Sequence, residues 1–70
     1  MRYLIIIERT RTGFSAYCPD LPGCIATGKT RGTVERRMRK AIEMHLEGLA
    51  ADGYRRPSPH SSSTYVEIPA

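Results

Sequence analysis

The sequence predicts a single α+β domain over residues 1–70, in the order β-β-β-α-β, with one helix on a curved four-stranded sheet. Three observations carry that expectation. Before position 30, short β-branched and aromatic runs alternate with turn residues, the signature of strands. One amphipathic stretch of helical period follows. A last β-rich run then returns near the end, and a strand, a crossover helix and a returning strand form a right-handed unit.

Taken in order, residues 3–8 form a dense first strand, Tyr3-Leu4-Ile5-Ile6-Ile7-Glu8. Side chains alternate along a strand, so Tyr3, Ile5 and Ile7 share one face, and Leu4 and Ile6 the other. Both faces are apolar, the pattern of a strand in the middle of a sheet covered on both sides. One helix covers one side only. Leu4 and Ile6 are therefore the candidate assembly face, and a homo-dimer or tetramer is expected. A polar connection at residues 9–13 leads to a second strand at residues 14–18, where Phe14, Ala16 and Cys18 point one way.

Pro19, Asp20, Leu21, Pro22, Gly23 and Cys24 form the structural turn motif on which the chain pivots. Leu21-Pro22-Gly23-Cys24 reads as a type II turn. Proline pre-sets the second position, and glycine supplies the positive φ of the third. Pro19 has no N–H to give a ladder and ends the strand before it. Asp20 is expected to accept from a nearby backbone N–H and fix the turn. A short third strand covers residues 24–27, completing an antiparallel meander.

Thr30 is the expected N-cap, its hydroxyl satisfying a first-turn N–H. The helix is expected over residues 33–51, with Val34, Met38, Ala41, Ile42, His45 and Leu49 facing inward. Glu35 with Arg39, and Arg39 with Glu43, stand at i,i+4 as surface pairs. Asp52-Gly53 stops the helix, with glycine at the left-handed position beyond its end. Residues 54–63, rich in proline and serine, read as loop. Residues 64–68 read as the last strand, beside and parallel to the first.

Pro-Asp-Leu-Pro-Gly-Cys at residues 19–24, Ala26-Thr27-Gly28-Lys29-Thr30, and then a helix holding Ala41-Ile42-Glu43-Met44-His45-Leu46-Glu47-Gly48-Leu49 together resemble the HicB family of antitoxins. The likeness runs nearly the whole chain, to residues 66–68. It implies a truncated ribonuclease H-like fold and a role in a type II toxin–antitoxin system. In that role the protein neutralises a HicA-like toxin, which cleaves messenger RNA, by a direct complex covering the toxin's active site. The resemblance implies no catalytic residue and no cofactor. Many family members add a C-terminal DNA-binding domain, and nothing after Ile68 is expected to form one. Arg31-Gly32-Thr33 departs from the acidic first helical turn usual in the family.

Composition bounds the alternatives. Seventy residues bury only about 60% of the unfolded surface, which leaves little core for a deep substrate pocket. The net charge of +4 favours an anionic partner without selecting one. Residues 1–7 are too short an apolar run for a leader or a membrane span, so no membrane partner and a cytoplasmic location are expected. Cys18 and Cys24 are then expected to stay reduced.

Metal-dependent RNA cleavage needs converging carboxylates, and the sheet region offers only Glu8, Asp20 and Glu67. His45 reads as a packing residue and His60 as solvated. No paired spacing of cysteines and histidines supports a zinc site. The chain is accordingly expected to be a binding protein and not an enzyme. Lys29, Arg31, Arg36, Arg37, Arg39 and Lys40 crowd the start of the helix and are the candidate nucleic-acid contacts, non-specific in kind because no readout motif is present. The alternative function is thus a solitary regulatory or RNA-binding module using that arginine-rich stretch.

Overall fold

The computed structural model describes residues 1–69. Strands β1 (Ile6–Arg9), β2 (Phe14–Tyr17) and β3 (Ile25–Gly28) precede one helix, α1 (Arg31–Ala51). The strands form an antiparallel sheet in the order β1-β2-β3. Ile7 stands opposite Ala16, and Ala16 opposite Ala26. Ala16, Cys18, Leu21, Cys24, Val34 and Met38 are buried between sheet and helix, with Tyr3, Ile5, Ile7, Phe14, Ala26, Ala41, Ile42 and Leu46 packed around them. The inward parity read from the first two strands is the observed one. Of the residues expected from the helical period, Val34, Met38, Ala41 and Ile42 belong to this cluster and Leu46 joins them, while His45 and Leu49 are half-buried outside it.

The chain makes two consecutive turns between β2 and β3. Leu21 N–H donates to the Cys18 carbonyl and Cys24 N–H to the Leu21 carbonyl, each at 3.1 Å. Gly23 has φ +84°, as the third position of a type II turn requires. Cys18 N–H closes the pair by donating to the Cys24 carbonyl at 3.1 Å. Leu21 is thereby driven to the centre of the core, with no exposed surface. Both cysteines are free and buried, and burial, then the neighbouring Cys18, pushes the Cys24 thiol up.

The helix boundaries have local causes. Thr33 N–H donates to the Thr30 hydroxyl at 3.1 Å, so Thr30 is the N-cap, and the helix begins at Arg31, two residues earlier than expected. At the far end, Gly53 (φ +80°) donates to Ala50 and Tyr54 donates to Leu49. This paired closure satisfies carbonyls that have no partner inside the helix. On its surface Glu35 pairs with Arg31 at 3.5 Å, instead of the expected Arg39. An exposed pair of this kind contributes at most about 1 kcal/mol.

The four-stranded expectation needs correction. The described residues form three strands, and residues 64–68 carry no strand. In consequence β1 lies at an edge of the sheet and not in its middle. The helix covers one face of it, at Ile7, and Ile6 on the other face, with Leu4 just before the strand, remains half-buried.

Gly23 provides a direct test. No atom lies within 4 Å of where its Cβ would stand, so any cost of a side chain is backbone strain alone. Gly23→Val should lower stability by about 1–3 kcal/mol, and Gly23→Asn by less, because asparagine tolerates positive φ. Thermal melts check this, and equal Tm values for Gly23→Val and the parent would remove the turn's claim to organise the core.

Candidate functional site

The outer face of the sheet carries an apolar row that no part of the helix covers. Register puts Ile6, Tyr17 and Ile25 side by side on three adjacent strands. They lie opposite in parity to buried Ala16 and the core-packed Ile7 and Ala26. Ile25 is 68% exposed and Tyr17 41%. Cross-strand aromatic and β-branched neighbours of this kind stabilise a sheet while presenting one continuous surface. The next row, Glu8, Ser15 and Thr27, is polar. Covering an isoleucine completely contributes about 1.5–3 kcal/mol, so this row is a plausible seat for a protein and offers nothing to a catalytic step. Sequence reading named Leu4 and Ile6 here and missed Tyr17 and Ile25. The signal was available: both alternate against the inward residues of their own strands.

The turn motif has a second role, and here the expected local bond is corrected. Asp20 is 5% exposed, and its carboxylate grips a segment 40 residues downstream. Oδ2 accepts from His60 N–H at 3.0 Å and Ser61 N–H at 3.1 Å, and Oδ1 accepts from the Ser61 hydroxyl at 2.6 Å. The His60 ring adds Nε2 at 3.2 Å from Oδ1, while its Nδ1 lies 3.1 Å from the Ser58 carbonyl. A neutral imidazole has one N–H and donates to only one of these; the imidazolium donates to both. The Tyr3 hydroxyl donates to the Pro57 carbonyl beside them. Residues 57–61 are therefore a strap laid across the turn, although their composition reads as open loop.

The basic cluster is spread over different tasks. Arg37 Nη1 donates to the Thr27 carbonyl on β3 at 2.8 Å, Arg36 reaches the Thr33 hydroxyl at 3.3 Å, and Arg31 pairs with Glu35. Lys29, Arg39 and Lys40 are exposed. Arg31 and Arg39 line one groove of the surface, and Lys29 and Arg37 line another. No group of three or more His, Cys, Asp or Glu side chains is placed to hold a metal ion among the described residues. Among the described residues, no helix is long and apolar enough to cross a membrane. His45 is half-buried.

Residues 3–70 match the HicB-like antitoxins of bacterial toxin–antitoxin systems. The chain belongs to this family. A chain of the solved HicA3 and HicB3 toxin–antitoxin complex superposes with a TM-score of 0.71 at 35% identity, covering 86% of this chain and 70% of that one. The antitoxin HicB3 crystal structure gives 0.72 at 35% identity, over 86% of this chain and 44% of the other. An uncharacterized 14.9 kDa protein from the rep-hol intergenic region of Haemophilus phage HP1 is 32% identical over 99% of this chain and 52% of its own length. A UPF0150 protein of Helicobacter pylori is 38% identical over 67% of this chain and 65% of its own length. The chain thus spans about half of the phage relative and just under two thirds of the Helicobacter one.

The strap makes a pH prediction. The Ser61 hydroxyl, outweighing the opposing effect of burial, and then the Ser61 and His60 backbone N–H groups and the His60 charge, hold the Asp20 carboxyl below its ordinary value of 3.8. A group depressed on folding stabilises fully above its unfolded value, and that contribution disappears as pH falls through the folded one. On acid titration the His60 and Ser61 amides should lose hydrogen-exchange protection below pH 3.8. Asp20→Ala should lose that protection at neutral pH as well, and strap amides equally protected in that variant would sink the assignment.

Proposed function

We propose that this chain is an antitoxin that neutralises a HicA-like, messenger-RNA-cleaving toxin by direct binding, without catalysis of its own. The observation that carries the reading is the uncovered row Ile6, Tyr17 and Ile25 on a chain of the HicB-like antitoxin family. The HicA3–HicB3 complex supports the choice of partner class. Occupation of the toxin's active site requires a surface that binds tightly and stays put, and a rigid apolar sheet face meets that need better than a mobile loop. The overall +4 charge does not steer a basic partner, so recognition rests on the apolar row; Glu43, Glu47 and Asp52 lie on and just beyond α1, on the opposite side of the sheet.

The experiment is co-expression with the product of the adjacent gene, followed by co-purification and an RNA-cleavage assay. A small basic protein should co-purify, and its ribonuclease activity should return when this chain is removed. Tyr17→Glu with Ile25→Glu should abolish inhibition while leaving the circular dichroism spectrum intact, because both side chains lie on the outer face. Arg36→Glu with Lys40→Glu should leave inhibition unchanged. If instead the chain binds RNA alone, with an affinity that falls steeply with salt and is lost in the Arg36/Lys40 variant, the solitary RNA-binding reading replaces the antitoxin.

A further inference from the structure

The two cysteines have no part in the site described above, yet the register of the sheet places them face to face. The β2–β3 ladder sets Ala16 opposite Ala26 and Tyr17 opposite Ile25. One step further along, the same register sets Cys18 opposite Cys24, and the Cys18 N–H donates to the Cys24 carbonyl at 3.1 Å. Cys18 shares the parity of Ala16, and Cys24 that of Ala26, so both thiols lie on the helix side of the sheet, buried in the core. Cys18 is also one of the two causes that raise the Cys24 thiol, in keeping with sulfurs near enough to feel one another's charge.

Opposed residues bonded in this way in an antiparallel ladder have Cα atoms about 5.5 Å apart. Disulfides span Cα separations of about 4.4–6.8 Å. The backbone therefore stands inside the window, and closure asks only for rotation of two side chains. The double turn holds that spacing. Leu21 N–H bonds to the Cys18 carbonyl and Cys24 N–H to the Leu21 carbonyl, and Pro19 and Pro22 limit the backbone between them. A bond across the ends of such a loop removes freedom chiefly from the unfolded chain.

We infer that Cys18 and Cys24 are a dithiol that closes into an intrachain disulfide on meeting a small-molecule disulfide such as oxidised glutathione, which makes the double turn a redox-sensitive clasp. One cysteine gives its proton to solvent, and its thiolate attacks a sulfur of the oxidant. That step expels one thiolate and leaves a mixed disulfide. The thiolate of the other cysteine then attacks the protein-side sulfur of the mixed disulfide and expels the second. The chain loses two electrons and two protons, and the oxidant leaves as two thiols. Cys18 and Cys24 are 2% and 4% exposed, so the exchange proceeds through brief local opening of the turn. Tyr17 and Ile25 are the next pair along the ladder, on the other face, so the clasp also fastens the backbone that carries the outer apolar row. The chemistry is independent of which partner that row receives.

The test is to equilibrate the full chain in glutathione buffers, quench by alkylation and digest with trypsin. One peptide, residues 12–29, carries both cysteines. In oxidising buffer this peptide should be about 2 Da lighter than its reduced form, with neither thiol alkylated. Against glutathione, the folded chain should hold the bond about ten- to a hundredfold more strongly than the chain in urea. By the same thermodynamic cycle the oxidised chain should melt roughly 10 °C above the reduced one. Both forms are the parent chain, so no variant has to fold for this comparison, and Cys18→Ser should melt at one temperature in both buffers. Four results would overturn the clasp: equal bond strength in folded and unfolded chains, a lower Tm on oxidation, glutathione retained on a single cysteine, or bonds formed between chains.

Discussion

A sheet has two faces, and this chain has one helix to lay on them. That constraint orders most of what the structure does. The helix covers Ala16, Cys18 and Cys24 and leaves the row of Ile6, Tyr17 and Ile25 to solvent. A larger domain would bury that row under a second layer of its own. Here the apolar core comes to six buried residues, three of them with no exposed surface at all. The apolar surface left over is the part of the molecule free to meet something else, and the function proposed above would give that surface a use. Fold and binding capacity are in this sense one fact.

The double turn does more than reverse the chain. Its backbone bonds drive Leu21 into the core, and its one buried acid reaches out to the strap. A carboxylate placed in such surroundings must have partners or it destabilises the fold. Asp20 has four contacts with residues 60 and 61. The last part of the chain is held down by polar bonds, where a larger protein would use packing. The strap consequently leaves no apolar surface of its own in the core, and the residues beyond it stand clear.

Legibility in the sequence followed the range of the interaction. Gly23, Thr30 and Gly53 were readable because each satisfies backbone geometry or a hydrogen bond within a few residues. Strand parity was readable for the same reason, and it grouped Phe14, Ala16 and Cys18 on one face, which is the inner one. The partner of Asp20 lies 40 and 41 residues away, and no local pattern in proline, serine and histidine announces it. The position of β1 was misread because its place in the middle required a strand at residues 64–68, whose alternation suits a sheet but which carry no strand. Arg37 was counted with the other cations because its spacing on the helix says nothing of the Thr27 carbonyl it reaches. For the candidate site, Leu4 and Ile6 were visible in the first strand, whereas Tyr17 and Ile25 needed the register between strands before they formed a row.

The bond from Arg37 to Thr27 bears on solubility. A short sheet with sticky margins on both sides can add copies without limit, which is the geometry of a fibre. Here one margin carries an arginine across a backbone acceptor, beneath a 21-residue helix. Edge addition is therefore less favourable at that margin than at β1. The Arg37 guanidinium occupies a backbone acceptor at the margin where a further strand would begin.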